Sequence, residues 1–533
     1  MTDNKQKRRG IVFFTLNASY THTSLSLRCL ADAVAGHPEL DCEILYDKRV
    51  SDDNLSLCYS PANTSAKIKP SHSVWLTLLE RTVSDMRERV LYELYDLKAD
   101  FYIFSCYIWN IEEMLRHAEN LKKLLPDSKI ILGGPEISYR SDEFLLKNSY
   151  IDYIIRGEGE ITLPETVCRI LSGEEPEKTL IGKPYTDFSS DGTHYERFPP
   201  KNGSLVYYET SRGCPYTCGY CVSGIKDHGH CMIECKSVEA SLSGLLEFER
   251  YDSIKIVKLV DRTFNFDRKR AIAIWKALSE DRFTKKYHFE ICAELIDNET
   301  LDVLRSVPKG KFQFEIGIQS TNPKTLEACG RKTNIIRTLD NTAKMHFPGN
   351  IAIHADLIAG LPYEDYKSFA KSFNDTYGIC DELQLGFLKL LYGTALRSSA
   401  DTFGCVYMED PPYTVLKTSD MSFDDIQQLK LISDTLDRYH GSGRFTETLR
   451  FIIPYAPSPF DFFEGLNDYI CKNSETGELR GVSQRKAYEF LYEYSRCLLD
   501  EKESNIHNLY NAIEKDFCSN ETGRMPHGIR QQR

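Results

Sequence analysis

Two series of short apolar runs, each run followed by a helical pattern, constrain the fold of this 533-residue chain. In the first series, from Gly10 to about residue 173, the helical segment TSLSLRCLADAVAG offers Thr23 or Ser24 as an N-cap. The strand candidates are GIVFFTLN, DCEILY, DFYIFSC, KIILGG and DYIIRG. Strands that alternate with helices predict a parallel, doubly wound α/β sheet. Because ligands bind beyond the carboxyl ends of such strands, the loops NASYTH, SCYIWN, GGPE and GEGE should converge on one cleft.

The second series predicts a separate domain. Six strand candidates lie between residues 204 and 400: LVYYET, SIKIVKLV, YHFEICAE, KFQFEIGIQ, IAIHADLI and ELQLGFLKL. Their alternation with helical segments predicts a partial or complete βα barrel of the TIM type. The Pro-, Gly-, Asp- and Lys-rich residues 174–203 predict a linker between the domains at 10–173 and 204–400. We expect a polar insertion at residues 51–70 and a helical C-terminal region without strands at 401–533.

Composition narrows the class of protein. The apolar runs are too short to cross a bilayer, and the basic N-terminus has no apolar core or cleavage site of a secretory signal. We therefore expect a cytoplasmic protein with no membrane contact. The 17 cysteines are odd in number and unevenly spaced, which favours free thiols in a reducing compartment. A formal net charge of -12 argues against a nucleic-acid partner.

The stretch ETSRGCPYTCGYCVS holds Cys214, Cys218 and Cys221 at a C-x3-C-x2-C spacing directly after the strand candidate LVYYET. This position is a loop at the carboxyl end of a barrel strand, where βα barrels build their active sites. Three thiolates on one loop can hold three irons of a 4Fe-4S cluster and leave the fourth iron open. Three unrelated buried thiols are one alternative interpretation, and a zinc site is the other. Its fourth ligand would come from Cys231, Cys235 or His228.

This spacing, with Tyr220 just before the last cysteine, resembles the signature of the radical S-adenosylmethionine (SAM) superfamily. The resemblance implies that Cys214, Cys218 and Cys221 bind a 4Fe-4S cluster whose open iron binds SAM. It further implies cleavage of SAM to a 5′-deoxyadenosyl radical, with Tyr220 near the adenine. A low-potential cluster also implies an external electron donor of the flavodoxin or ferredoxin type.

The same resemblance implies SAM contacts at the ends of later strands. The candidates are Asp261, Thr263 and Asn265 in VKLVDRTFNFD, Glu315, Gln319 and Ser320 in FEIGIQS, Asp356 in HADLIAGLP, Arg331 in CGRKT, and Glu290 and Glu294 in FEICAE. Strand alternation favours an inward position for the glutamates. Plainer interpretations remain open. They are a helix cap at Asp267, a strand-to-helix turn at Gly360, and a surface position for Arg331.

The segments LGGPEIS and YIIRGEGE, placed before a radical SAM core, resemble the cobalamin-binding domain of cobalamin-dependent radical SAM enzymes. The resemblance implies that Gly133 and Gly134 let the backbone approach the cobalamin nucleotide tail, although glycines also close ordinary strand turns. It places Ser105, Tyr107, Asn110 and Glu158 along the same cleft. The histidine motif D-x-H-x-x-G is absent after the first strand. His22 stands there instead, which leaves the axial cobalt ligand open.

Together these resemblances imply a cobalamin-dependent radical SAM enzyme that transfers a methyl group to an unactivated carbon of an unidentified substrate. Cyclisation or rearrangement would use the same parts. A methylthiotransferase is an alternative, but such enzymes carry three more cluster cysteines in the N-terminal domain. In this chain the cysteines of that region are scattered at Cys29, Cys42, Cys58, Cys106 and Cys168. The alternative from another class is a cobalamin- or metal-sensing regulatory protein, with the C-terminal region binding its partner.

Overall fold

The computed structural model describes residues 8–46, 70–185, 194–200, 205–225, 233–474, 477–499 and 503–530. The polar insertion predicted at residues 51–70 lies outside the described residues, apart from its last residue, Pro70.

The first domain is a seven-stranded sheet in which every pair of neighbouring strands is parallel. Its spatial order is β2-β3-β1-β4-β5-β6-β7. The strands are β1 (Arg9–Asn17), β2 (Leu40–Ile44), β3 (His72–Thr82), β4 (Phe101–Ser105), β5 (Lys129–Gly133), β6 (Tyr153–Arg156) and β7 (Thr179–Ile181). The helices are α1 (Leu25–Ala35), α2 (Arg87–Asp96), α3 (Ile111–Leu124), α4 (Pro135–Ser138), α5 (Ser141–Lys147) and α6 (Thr162–Leu171). Two separate apolar clusters cover the two faces of the sheet, as in a doubly wound fold.

Two strands of this sheet were not predicted. Strand β3 contains Glu80 and Arg81 at its end, which obscures the strand pattern. Glu80 is buried because Arg28 of α1 forms an ion pair with it at 2.9 Å, a partner far away in sequence. Strand β7 lies inside the segment predicted as a linker, where it extends the sheet by only three residues. Ser24, one of the two predicted N-caps, does cap α1 by accepting from the amide of Leu27.

The second domain contains a parallel sheet of six strands in the order β15-β14-β13-β12-β11-β8. Its strands are β8 (Val206–Tyr208), β11 (Ile256–Leu259), β12 (Lys286–Ile291), β13 (Phe312–Gln319), β14 (Ala352–Ala359) and β15 (Glu382–Phe387). A short antiparallel pair, β9 (Ser211–Arg212) and β10 (Glu234–Cys235), lies beside β8 in sequence. The helices are α7 (Val238–Glu247), α8 (Arg268–Leu278), α9 (Asn298–Arg305), α10 (Pro323–Ala328), α11 (Ile335–His346) and α12 (Tyr366–Tyr377). Sequential strand order is the topology of an open (βα) barrel.

The two faces of this sheet differ in chemistry. Phe289 of β12 and Phe314 of β13 pack on Trp275 of α8, with ring centroids 6.1 and 5.4 Å from it. Because side chains alternate along a strand, Glu290 and Glu315 lie on the opposite, inner face of the barrel. The inward position predicted for both glutamates is therefore confirmed.

The C-terminal region is helical, as predicted, but it also contains strands. Strands β16 (Val406–Tyr407) and β17 (Val415–Lys417) form a hairpin too short to leave a strand pattern in the sequence. The helices that follow β15 are α13 (Ala395–Ser398), which precedes this region, and α14 (Phe423–Leu436), α15 (Thr446–Ile452), α16 (Pro459–Asn473), α17 (Gln484–Leu498), α18 (Glu503–Asn520) and α19 (His527–Arg530) within it. They share one continuous apolar core with the barrel. Within the described residues we find no helix whose length and apolar character would let it cross a bilayer.

Candidate active site

The three cysteines lie on the loop that leaves the carboxyl end of the barrel strand β8. Gly213, which precedes Cys214, has φ +98, a conformation that side chains disfavour, so glycine lets the chain turn sharply into the loop. The middle of the loop is fixed by the backbone of Gly219, whose amide donates to Cys329 at 2.8 Å and whose carbonyl accepts from Leu396 at 2.9 Å. The cysteine loop is thus held against the barrel from both sides.

The three thiols are partly exposed, whereas most other cysteines among the described residues are buried. Burial raises the pKa of the Cys214 thiol, and the nearby Cys218 and Cys221 raise it further. Thr263, a predicted SAM contact, has its hydroxyl oxygen 3.7 Å from the Cys214 sulfur. Partly exposed thiols that interact electrostatically on one loop fit the ligand set of an iron-sulfur cluster.

Buried polar atoms without partners surround this loop. Arg331 is not a surface side chain, because one terminal nitrogen lies 3.7 Å from the Cys218 sulfur and 3.3 Å from the Tyr220 hydroxyl. Its other terminal nitrogen donates to the carbonyl of Gly317. Within the described residues, Arg331 Nε and Gln319 Oε1 are buried and have no hydrogen-bond partner. An unpaired donor and an unpaired acceptor beside the cysteines fit a ligand that carries both a carboxylate and an amino group, as SAM does.

Asp261 and Asn265, two predicted SAM contacts, already bind the protein in this structure. Asp261 is fully buried, and its carboxylate accepts from the Thr210 hydroxyl at 2.6 Å and the Ser211 hydroxyl at 2.5 Å. Asn265 bonds both the amide and the carbonyl of Cys292 through its side chain, each at 2.9 Å. These contacts give both residues the role of holding the cysteine loop and the end of β12 in place.

Other candidates at the strand ends also have protein partners. Asp267 caps α8 by accepting from a helix amide, as the plainer interpretation predicted. Glu294 accepts from the Thr333 hydroxyl at 2.8 Å, and the buried Ser320 donates to Glu364 at 2.6 Å. We assign these residues to local structure.

A cluster of charged side chains covers the inner face of the barrel. The Lys258 ammonium and the His288 ring each lie 2.9 Å from the Glu315 carboxylate. Although burial raises it, the contacts with His288 and Lys258 lower the pKa of Glu315 to about 2. Burial, reinforced by Glu315, raises the pKa of Asp356 to about 7. Burial likewise raises the pKa of Glu290. Sequence reasoning missed Lys258 and His288, which the inward parity of their strands could have identified.

The carboxyl edge of the first sheet carries hydroxyl groups and exposed aromatic rings. The Ser26 hydroxyl lies 3.1 Å from the Ser105 hydroxyl and accepts from Tyr107 at 2.8 Å. The Tyr107 ring stacks on Trp109 at 4.4 Å, and Trp109 is 51% exposed. This edge fits cobalamin, whose corrin has a wide apolar face and amide groups around its rim. Asn110 instead binds backbone carbonyls of the sheet, among them that of Leu16 at 3.0 Å.

The two glycines of the GGPE loop differ in their surroundings. Gly134 has φ +112, and a Cβ atom there would lie 2.3 Å from the Cys106 carbonyl oxygen, so a larger residue is excluded by the protein itself. At Gly133 the nearest heavy atom to such a Cβ is the Ile155 carbonyl oxygen, 3.8 Å away. The approach of a nucleotide tail at these glycines stays a prediction.

Loops at the carboxyl edge of the first sheet contact the barrel. Arg212, two residues before Cys214, lies 3.2 Å from Glu158 and 2.8 Å from Glu160 of the GEGE loop. Glu158 therefore has a protein partner, in addition to its predicted place in the cofactor cleft. His22 bonds the Tyr207 hydroxyl of β8, and its pKa is lowered by burial and by Lys258.

The alternative zinc ligands are not brought to the loop by any described contact. Cys231 and His228 lie outside the described residues, and Cys235 pairs with Ser211 in the short antiparallel strands. Within the described part of the chain, no three His, Cys, Asp or Glu side chains converge as a single-ion site requires.

Family models match three parts of the chain. Residues 66–167 match a B12 binding domain, residues 208–376 match the Radical SAM superfamily, and residues 401–533 match a family described as a protein of unknown function, DUF4080. The first two matches coincide with the first sheet and with the barrel.

Two curated relatives are named as methyltransferases. The cobalamin-dependent radical SAM methyltransferase TokK of Streptomyces tokunonensis is 27% identical over 71% of this chain and 63% of its own length. The 2-(S-pantetheinyl)-carbapenam-3-carboxylate methyltransferase of Streptantibioticus cattleyicolor is 24% identical over 51% of this chain and 44% of its own length. The chain therefore spans less than two thirds of either relative.

Two solved structures have a similar fold. The cobalamin-dependent SAM radical enzyme OxsB, with aqua-cobalamin and SAM bound, aligns with a TM-score of 0.57 at 12% identity, over 96% of this chain and 84% of its own. The radical SAM methyltransferase TsrM of Kitasatospora setae, with tryptophan and a SAM analogue bound, aligns with a TM-score of 0.56 at 13% identity, over 77% of this chain and 80% of its own.

Proposed function

Since the chain belongs to the radical SAM enzymes that carry a cobalamin-binding domain, we propose that it transfers a methyl group to an unactivated carbon of a small-molecule substrate. Its cofactors are a 4Fe-4S cluster, SAM and cobalamin. When bound, the cluster and SAM supply a carbon radical for hydrogen abstraction, and cobalamin supplies the methyl group. The proposal of a small-molecule substrate follows the name of the Streptantibioticus cattleyicolor relative, a 2-(S-pantetheinyl)-carbapenam-3-carboxylate methyltransferase.

One observation supports this proposal most strongly. The carboxyl edge of the first sheet and the cysteine loop of the barrel lie against each other, because Arg212 joins the GEGE loop to the residues next to Cys214. A cofactor on the first sheet and a ligand at the cluster would then share one site, which methyl transfer to a substrate radical requires.

The residues of the chain would act by binding and orientation. Cys214, Cys218 and Cys221 would hold the cluster. Arg331 and Gln319, with their unpaired atoms, would bind the polar end of SAM. Asp356, whose pKa of about 7 lies near neutral pH, would accept hydrogen bonds or hold a proton at the inner face.

The first sheet does not supply a second cluster site among its described residues. Cys42 and Cys168 belong to the apolar cluster on one face of the sheet, Cys106 belongs to the cluster on the other face, and Cys29 is buried in α1. Cys58 lies outside the described residues. This distribution favours methyl transfer over methylthio transfer.

The proposed reaction also requires an electron donor and a reducing compartment. An electron donor of the flavodoxin or ferredoxin type would reduce the cluster, since the reduction potential of the cluster is low. A cytoplasmic location would keep the free thiols and the cluster reduced.

The test compares anaerobically purified protein with a variant in which Cys214, Cys218 and Cys221 are alanine, with Cys497→Ser as the control. Cys497 is exposed on α17, far in sequence from the loop. We expect the unchanged protein to hold about four irons per chain, to retain corrin through gel filtration and to cleave SAM reductively. The triple variant should lose the iron and the SAM cleavage but keep the corrin, and the Cys497→Ser control should behave like the unchanged protein. Protein that binds no cobalamin and cleaves SAM equally well without it would contradict the proposal.

A further inference from the structure

The chain that follows β15 contacts both the cysteine loop of the barrel and the GGPE loop of the first sheet. We call residues 390–413 the bridging segment. Near its start, the amide of Leu396 donates to the carbonyl of Gly219, inside the cysteine loop, at 2.9 Å. At its end, the Tyr413 hydroxyl donates to the carboxylate of Glu136 in the GGPE loop. The bridging segment therefore joins the loop of the cluster cysteines to a loop at the predicted cobalamin cleft.

The contact with the GGPE loop is buried and close. Tyr413 is 1% exposed and Glu136 is 7% exposed. Arg140, which follows α4, has Nη1 3.4 Å from the Tyr413 hydroxyl oxygen. Gly393 has φ +81, and a Cβ atom there would lie 2.5 Å from the Tyr139 ring, so a larger residue would push the two elements apart. A buried hydrogen bond to a carboxylate and close packing thus fix this end of the bridging segment.

Arginine side chains stacked on tyrosine rings stiffen the bridging segment between its two ends. The Arg397 guanidinium lies 3.6 Å from the centroid of the Tyr392 ring and 5.1 Å from that of the Tyr413 ring. Arg397 also donates to the carbonyl of Leu390. From the first sheet, the Arg140 guanidinium lies 4.3 Å from the Tyr392 centroid. Because cation–π contacts gain strength away from water, we expect the two ends to move as one body.

The backbone of Tyr413 is strained. Its φ of +57 lies in the left-handed region, which a bulky side chain disfavours. The conformation is held by the amide of Tyr413, which donates to Asp410 at 2.9 Å, and by its carbonyl, which accepts from Leu390 at 3.0 Å. Strain of this kind persists where the surrounding structure fixes a residue, and it is common at functional sites. Here it accompanies the placement of one hydroxyl on Glu136.

We propose that Tyr413 is a positioning residue that, through Glu136, holds the GGPE loop and the cobalamin beside it at a fixed distance from the 4Fe-4S cluster. The inference rests on the proposed function, because it needs both cofactors in one chain. It also gives a role to the start of the region that matches DUF4080. A substrate radical formed at the cluster must lie within reach of the methyl donor, so a fixed spacing lets one small substrate meet both groups.

The test compares Tyr413→Phe with Tyr407→Phe, since each variant loses one hydroxyl and nothing else. Tyr407 lies on the same hairpin, and its ring centroid is 5.1 Å from the Arg397 guanidinium. Within the described residues its hydroxyl has no hydrogen-bond partner, so it is a matched control. Both variants and the unchanged protein are purified anaerobically, reconstituted with iron and sulfide, and supplied with hydroxocobalamin.

The distance between the cofactors is followed by electron paramagnetic resonance. The relaxation of the cob(II)alamin signal is measured with the cluster oxidised, when it is diamagnetic, and reduced, when it is paramagnetic. Because the dipolar effect of the reduced cluster falls steeply with distance, the enhancement of relaxation reports the spacing. We expect the same enhancement in the unchanged protein and in Tyr407→Phe, and a smaller one in Tyr413→Phe.

Two further measurements separate positioning from folding. Hydroxocobalamin should bind Tyr413→Phe about 10-fold more weakly than the unchanged protein, because a hydrogen bond to a charged group is lost at the GGPE loop. The iron content should be the same in all three proteins, because the contact between Leu396 and Gly219 is unaltered.

Variants of the acceptor extend the test. Glu136→Gln keeps an oxygen that can accept from Tyr413, whereas Glu136→Leu keeps none. We expect Glu136→Gln to retain the relaxation enhancement and Glu136→Leu to lose it as Tyr413→Phe does. Combining Tyr413→Phe with Glu136→Leu should then cause no further loss, since both changes remove the same hydrogen bond.

Three outcomes of the comparison would overturn the proposal. One is a folded Tyr413→Phe protein whose cobalamin affinity and relaxation enhancement equal those of the unchanged protein, even if its melting temperature is lower. Another is an equal loss in Tyr413→Phe and Tyr407→Phe. The third is an equal loss in Glu136→Gln and Glu136→Leu. An unchanged protein that binds no cobalamin would contradict the proposed function and this inference together, so the two failures are distinguishable.

Discussion

Glu315 is the centre of the charged cluster on the inner face of the barrel. Its carboxylate is the common partner of Lys258 and His288. Replacing it by glutamine removes the charge but keeps the size. We expect Glu315→Gln to lower the free energy of unfolding by about 1–3 kcal/mol at pH 7, because the partly buried Lys258 ammonium loses its counter-charge and the His288 ring, whose pKa is lowered by burial, loses the carboxylate beside it.

The stabilisation that Glu315 provides should depend on pH. Because the pKa of Glu315 is lowered to about 2 in the folded protein, its stabilisation is complete above the unfolded pKa of 4.5. It is lost as the pH falls towards 2. The difference between Glu315→Gln and the unchanged protein, measured by chemical unfolding, should therefore shrink progressively below about pH 4.5.

Asp356, on the neighbouring strand β14, should show the opposite pH dependence of stability to Glu315. Its pKa is raised to about 7, so the folded protein holds a proton that the unfolded chain has already released. The charged form costs stability as the pH rises from about 4 through 7. Asp356→Asn should therefore stabilise the ligand-free protein at pH 8 by about 1–2 kcal/mol and have little effect near pH 4. If Glu315→Gln and Asp356→Asn changed the free energy of unfolding in the same direction at pH 8, this account of the charged cluster would be wrong.

The sequence predicted which face of the barrel the glutamates occupy, but it did not predict which groups Asp261 binds. Glu290 and Glu315 were expected at the inner face from strand alternation, and they lie there. Asp261 was expected to contact SAM because it follows a strand, whereas it binds Thr210 and Ser211, about fifty residues earlier. A partner so far away in sequence leaves no local pattern.

At the scale of single elements, the cysteine loop depends on the residues that precede it. Asp261 accepts hydrogen bonds from the backbone and hydroxyl of Thr210 and from Ser211, just before Cys214. A carboxylate that accepts three hydrogen bonds in a buried site cannot be replaced by an amide without a mismatch, since the amide nitrogen accepts none.

We therefore expect Asp261→Asn to loosen the cysteine loop. The iron content after anaerobic reconstitution should fall to less than about half, and stability should fall by about 1–3 kcal/mol. Asp365→Asn, which alters the cap of α12, is the control for loss of one carboxylate at a helix end. If both variants retain iron equally, Asp261 does not position the loop.

The elements themselves were predicted with uneven success, for physical reasons. Strands with a regular alternation, such as β13, were found from the sequence. Strand β3 was missed because its polar end is compensated by Arg28 on α1. Strands β7, β16 and β17 are only two or three residues long, so hydrogen bonding to a neighbouring strand defines them rather than any pattern of their own.

At the scale of the whole molecule, the sequence indicated two βα units but not how they meet. The contacts between them come from loops, where Arg212, just before Cys214, reaches Glu160 of the GEGE loop at 2.8 Å. Such contacts depend on the three-dimensional placement of both units and follow no periodicity. The boundaries predicted at residues 173, 203 and 400 therefore stay predictions.

The contact between the two units should couple cofactor binding to stability. Arg212 lies within 3.2 Å of the carboxylates of Glu158, Glu160 and Glu209, and its side chain is only 22% exposed. Removing the guanidinium leaves three carboxylates facing one another, a larger loss than for an exposed ion pair. We expect Arg212→Gln to lower the free energy of unfolding by about 2–4 kcal/mol, measured by thermal and chemical unfolding.

Cobalamin should offset part of this loss if it binds at the same contact. A ligand that binds only the folded protein adds about 2.7 kcal/mol at 100 times its dissociation constant. Hydroxocobalamin should therefore raise the melting temperature of the unchanged protein and bind less tightly to Arg212→Gln. Arg262→Gln, which removes an arginine 54% exposed and 3.7 Å from Glu290, should leave both measurements nearly unchanged. Equal cobalamin affinity in all three proteins would show that the cofactor binds the first sheet independently of the barrel, and methyl transfer would then require a separate closing movement of the two units.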